Sequence, residues 1–169
     1  RETAQLAIES ALTGHLVLST LHTNDAPLAV ARLVEMGIEP YLVAAGVQCV
    51  MAQRLVRRLC ECREEVELSK TALDGNHFDV ERGFTAYEPA GCVRCGGTGF
   101  RGRIGIYELM RVSDELRRLI LDKASADELR ACARFEGMRT LREDGLEKVK
   151  RGVTSVGEVL RVLGASGGR

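Results

Sequence analysis

Four of the six cysteines fall into two close pairs, Cys60-Glu61-Cys62 and Cys92-Val93-Arg94-Cys95. A zinc ion held by four thiolates at about 2.3 Å sets neighbouring sulfurs roughly 3.8 Å apart, which a Cys-x-x-Cys turn followed by glycine can deliver. Cys92 to Cys95, followed by Gly96-Gly97, has that form. Cys60 and Cys62 are one residue closer, but side chains at i and i+2 of an extended segment share a face and can reach one ion. Unpaired thiols, a disulfide within either pair, or redox chemistry at Cys92 and Cys95 are the competing readings. A closed four-thiolate site has no open position for water, so its role is structural and not catalytic.

Two histidines bracket one apolar run. His15 opens His15-Leu16-Val17-Leu18-Ser19-Thr20-Leu21, and His22-Thr23-Asn24-Asp25 follows it. The run reads as a strand buried on both faces, as in a parallel sheet. Ligands of open α/β sheets bind beyond the carboxyl ends of strands. Thr20, His22, Thr23 and Asn24 therefore cluster where a nucleotide or phosphate is expected. The competing reading is that His22 simply caps or hydrogen-bonds a turn, and a second histidine at the other end of the run favours function. His77 lies in a polar loop and reads as a surface residue.

The elements around these residues are legible in part. Glu2–Leu12 has helical periodicity and Gly14 stops it. Asp25 or Asn24 can cap a next helix, with Pro27 in its first turn, that runs to about Met36. Pro40 opens another. Tyr41 to Val56 is apolar nearly all round and predicts one deeply buried helix with Cys49 as a core residue. Gly91–Gly99 reads as a Gly-rich tip around Cys92 and Cys95, and Arg103–Val112 predicts a strand leaving it. Ser113, the capping box Ser125-Ala126-Asp127-Glu128, Arg139–Lys150 and Ser155 mark four tail helices, expected as one bundle that frays at Ala165–Arg169, with Cys132 packed inside.

The 169 residues carry 24 basic and 24 acidic side chains, and 45% are hydrophobic. That excludes wholesale disorder and, with aromatics at 4%, counts against nucleic-acid binding through Arg54, Arg57, Arg58, Arg101 and Arg103. No G-x-x-x-x-G-K-[ST] loop occurs, so no triphosphate cradle is expected from these residues alone. Helical sequence starts at Glu2 with no leader, and a lone parallel strand needs neighbours, so the chain reads as a piece of something longer.

Thr13–Asp25 resembles the histidine box of the type II secretion and type IV pilus assembly ATPases. Arg1-Glu2-Thr3-Ala4 resembles the stretch immediately after their acidic Walker B segment. Met51–Cys60 and Gly99–Glu108 resemble the entry to and exit from their four-cysteine module, and Leu141–Leu146 resembles their C-terminal helical motif. The resemblance implies an α/β fold. Residues 1–58 would be the C-terminal portion of a RecA-like P-loop core, 59–103 a zinc module, and 104–169 a strand and helical subdomain. It implies a hexameric cytoplasmic motor that hydrolyses ATP with Mg²⁺. Such a motor acts on an inner-membrane platform protein and associates peripherally with that membrane. Nucleic acid is not an expected partner. His22 and His15 would sit near the γ-phosphate with polar support from Thr20 and Thr23. Cys60, Cys62, Cys92 and Cys95 would hold zinc, although the first pair departs from the family's Cys-x-x-Cys. Arg101 and Arg103 would lie on a contact surface. The segment alone is expected to be inactive.

Overall fold

The computed structural model describes residues 2–75, 78 and 80–164, so His77 and the tail from Ala165 lie outside the described residues. The chain divides into two compact units. One runs to Ala52 and takes in Glu108–Arg139; the other takes in Gln53–Tyr107 and the chain from Thr140 onward.

In the first unit, α1 (Glu2–Leu12), α2 (Ala26–Glu35) and α3 (Pro40–Gly46) are followed by the start of β1 (Cys49–Leu59). The unit resumes with the end of β4 (Phe100–Arg111), then α5 (Asp114–Leu121) and α6 (Ala126–Phe135). Asp25 caps α2, accepting from the Leu28 N–H at 2.9 Å, with Pro27 in the first turn. α3 packs on α1, α2 and α5, and α2 packs on α6. Ile8, Val30, Val43, Met110, Leu116, Ile120 and Leu129 are buried there. Gly46 meets α1 so closely that an added Cβ would lie 2.8 Å from Ile8 Cγ2.

The second unit contains β2 (Glu64–Leu68), α4 (Lys70–Asp74), β3 (Phe84–Glu88), a 3-10 turn at Val93–Cys95, α7 (Leu141–Lys150) and α8 (Val156–Leu163). β2 pairs antiparallel with β3, Val66 facing Ala86. Leu73, Phe78, Ala86, Leu146, Val149 and Val159 form its core.

Three expectations change. Tyr41–Val56 is not one helix: α3 ends at Gly46 and β1 begins at Cys49. β1 alternates, with Ala52 and Val56 buried and Cys49, Met51, Gln53 and Leu55 exposed. Apolar side chains on both faces hid that period of two. Cys49 is consequently exposed and not a core residue.

His15–Leu21 forms no strand among the described residues. A strand exists only by pairing, and no described segment pairs with this one, so Leu16 and Leu18 remain 90% and 88% exposed. The tail helices do not make one bundle: α5 and α6 belong to the first unit, α7 and α8 to the second. Helix starts were readable from local capping, whereas the partner of each apolar face is a long-range choice. No described helix is long and apolar enough to cross a membrane.

Candidate metal centre and histidine segment

The second unit brings Cys60, Cys62, Cys92 and Cys95 together, with all four Sγ atoms within 4.8 Å of one another. Cys60 to Cys92 and Cys62 to Cys95 are each 3.9 Å, and Cys92 to Cys95 is 3.8 Å. These separations match the edge of a four-thiolate tetrahedron and are far longer than an S–S bond of about 2.05 Å. Donor set and spacing fit a tetrahedral metal ion. The disulfide reading does not survive: all six cysteines are free.

Local backbone explains how both pairs face inward. Cys60 directly follows β1, and its N–H donates to the Gly99 carbonyl at 2.9 Å. The expected extended Cys-x-Cys is instead a turn, closed by the Arg63 N–H on the Cys60 carbonyl at 3.1 Å. Folding back after one residue is how the shorter pair presents both sulfurs. Cys92 precedes the Val93–Cys95 turn, and Gly97 N–H closes on the Cys92 carbonyl at 2.9 Å.

Two backbone N–H groups, of Cys92 at 3.1 Å and Gly99 at 3.2 Å, donate to Cys95 Sγ. The Cys92 N–H is the chief cause of a Cys95 pKa pulled down to about 6, against the opposing effect of burial. Burial raises the Cys62 thiol to about 12, and hydrogen bonds among the cysteine side chains add to it. One sulfur of the quartet is thus held ready as a thiolate.

The histidine segment lies in the first unit. His15, Thr20 and His22 are exposed and Thr23 is half-buried. His15 Nδ1 is 3.0 Å from Thr13 Oγ1. Thr23 Oγ1 donates to the Asp25 carbonyl at 3.1 Å. Beyond it Asp25 Oδ2 accepts from Arg130 Nη2 at 2.8 Å, and the Ala26 N–H donates to Glu108 Oε1 at 2.8 Å. Sequence reading does not single out Glu108 or Arg130. The available signal was Glu108 itself, a carboxylate in phase with the buried Ile106 and Met110 of β4. A buried acid at such a position must find a donor.

Comparison with known proteins defines the class first. Over 98% of this chain the fold is that of the pilus retraction motor PilT, solved with bound ADP, at a TM-score of 0.62, 21% identity and 36% coverage of that chain. The Legionella pneumophila ATPase DotB gives a TM-score of 0.58 at 21% identity, covering 94% of this chain and 34% of that one. The family described as Type II/IV secretion system protein matches residues 1–161, and the chain belongs to it.

The Thermus thermophilus type IV pilus assembly ATPase PilB is 51% identical over 162 residues, 94% of this chain and 18% of that protein. The Pseudomonas aeruginosa type II secretion system protein HxcR is 48% identical, covering 95% and 31%. The Vibrio cholerae type II secretion system ATPase E is 45% identical, covering 95% and 32%. The chain spans less than a third of the length of these relatives.

Proposed function

We propose that this chain is the part of a type II secretion or type IV pilus assembly ATPase that carries the histidine segment and a structural zinc module. The observation that carries the reading is the 45 to 51% identity, over about 162 residues, to proteins named as such ATPases. In this reading the chain completes a RecA-like core whose phosphate-binding loop lies elsewhere in the protein. His22, with His15, meets the γ-phosphate of Mg²⁺-bound ATP, and Thr20 and Thr23 supply polar contacts. Zinc is the metal because four thiolates in a closed tetrahedron suit it, and it knits together a loop-rich region. The working motor is a homo-hexamer at the cytoplasmic face of the inner membrane. It passes the energy of hydrolysis to a membrane platform protein.

Elemental analysis and ATP turnover on the purified 169-residue chain test the reading. About one zinc per chain with negligible turnover is expected. Turnover at a motor-like rate from this chain alone, or a metal-free native state, would overturn it.

A further inference from the structure

The start of α2 is held by more than its own cap. Of the first three helical residues, Ala26 gives its N–H to Glu108 Oε1 at 2.8 Å, Pro27 has none, and Leu28 gives its N–H to Asp25 Oδ1 at 2.9 Å. Asp25 is in turn fixed through Oδ2 by Arg130 Nη2 at 2.8 Å, while Arg130 Nη1 bonds Asp127. Ala26 is fully buried and Glu108 is 4% exposed, so the step from Asp25 to Ala26 has little freedom. Thr23 Oγ1, one residue past His22, bonds the Asp25 carbonyl.

A helix N-terminus ordinarily offers free N–H groups to an anion. Here two carboxylates occupy those donors and add negative charge. These N–H groups of α2 are taken and not offered to a phosphate; in the function proposed above, His22 and Thr23, just upstream, meet it instead. The carboxylates and Arg130 therefore serve as anchors.

We infer that Glu108 and Arg130 are positioning residues: from β4 and α6 they pin the Asp25–Ala26 step and so set where the His22 imidazole stands. The inference rests on the reading that His22 acts at the nucleotide phosphate.

The test places Glu108→Ala, Glu108→Gln, Arg130→Ala and His22→Ala in the complete motor protein that carries this segment, reading kcat and KM for ATP. The His22 imidazole resonances are followed by NMR on the 169-residue chain, with thermal unfolding as the folding check. Glu108→Ala is expected to lower kcat by about 10- to 100-fold, the cost of a displaced catalytic group, with KM little changed. Glu108→Gln keeps an acceptor at Oε1 and restores most of the rate. The His22 resonances move in Glu108→Ala and Arg130→Ala and return in Glu108→Gln.

Loss of turnover in His22→Ala, with Glu108→Ala and Arg130→Ala both at the wild-type rate, overturns the positioning role and leaves the reading of His22 standing. Wild-type turnover in His22→Ala overturns that reading, and the inference with it. Should Glu108→Ala fail to fold, Arg130→Ala carries the test, and unmoved His22 resonances in it overturn the inference.

Discussion

Glu158 takes hold of Arg57 three times across 101 residues of sequence. Its Oε1 accepts from the Arg57 backbone N–H at 2.8 Å, and its Oε2 accepts from Nε at 2.9 Å and Nη2 at 2.8 Å. Arg161, one turn along α8, donates Nε and Nη2 to the same carboxylate. The Glu158 side chain is fully buried while both guanidiniums reach solvent. The Arg57 guanidinium also lies 4.0 Å over the Phe100 ring, and the Leu59 N–H is bonded to the Val153 carbonyl at 2.9 Å. The clasp thus ties β1, just before Cys60, to the start of α8.

Acid should undo that clasp. Burial alone would raise the Glu158 pKa, but the bonds from Arg161 and Arg57 outweigh it and hold it at about 2. A carboxylate depressed in the folded state stabilises fully above its unfolded pKa, and that stabilisation is lost as pH falls toward the folded value. The contribution is on the order of 3 kcal/mol, present above about pH 4.5 and gone near pH 2. Urea unfolding of wild type and Glu158→Gln from pH 7 to pH 2 measures it. The two curves should converge on acidification; a gap independent of pH would mean that packing, and not charge, is what Glu158 contributes.

The metal-free cysteine quartet should not react evenly. With Cys95 pulled to about 6 by the Cys92 N–H and Cys62 pushed to about 12 by burial, Cys95 is mostly thiolate at pH 7 and Cys62 is almost wholly thiol. Brief iodoacetamide treatment of the chelated chain, read by peptide mass spectrometry, should label Cys95 first and Cys62 last. Lowering the pH to 5 should slow Cys95 about tenfold, because its thiolate fraction falls in proportion. Added zinc should protect all four. Equal labelling would show that the N–H donation to Cys95 does not persist without metal.

Where the sequence was readable depends on how local each signal is. Asp25, Ser113, Ser125 and Ser155 each accept from an N–H three residues on, so their type announces the helix they start. Cys92 to Cys95 is likewise complete within one turn. β2 is not legible because Glu64, Glu65 and Glu67 crowd a five-residue strand whose inward face rests only on the half-buried Val66 and Leu68. The apolar run at His15–Leu21 carries no information about whether a partner strand is present. Glu108, Arg130 and Glu158 gain their meaning from partners 82, 105 and 101 residues away, and no spacing rule reaches that far.

The capping box of α6 offers a test confined to the first unit. Ser125 Oγ accepts from the Glu128 N–H at 3.3 Å, and Glu128 Oε2 accepts from the Ser125 N–H at 2.7 Å and hydroxyl at 2.8 Å. The Ser125 backbone N–H, with its hydroxyl second, lowers the Glu128 pKa. Ser125→Ala should cost about 1 kcal/mol in urea unfolding. By NMR titration the Glu128 pKa should rise only part of the way back, since the backbone donor remains. Full return to the ordinary glutamate range would show that the box opens as a unit when the hydroxyl is removed.

Two glycines beside the thiols separate backbone conformation from crowding. Gly96 and Gly99 both adopt left-handed backbone, with φ of 63° and 73°, so alanine is strained at either. At Gly96 an added Cβ meets open space, whereas at Gly99 it would lie 2.3 Å from Pro89 Cβ and 2.8 Å from Pro89 Cα. Pro89 Cα belongs to the backbone and cannot swing aside, so Gly99→Ala must displace the chain. The Gly99 N–H on Cys95 Sγ and the Gly99 carbonyl on the Cys60 N–H move with it. Gly96→Ala should cost only the conformational strain, about 1 kcal/mol, with zinc affinity within about tenfold of wild type. Gly99→Ala should weaken zinc by well over tenfold in competition with a chromophoric chelator, as loss of groups that orient metal ligands does. Equal losses in the two variants would mean that φ alone decides, and that the contact with Pro89 yields.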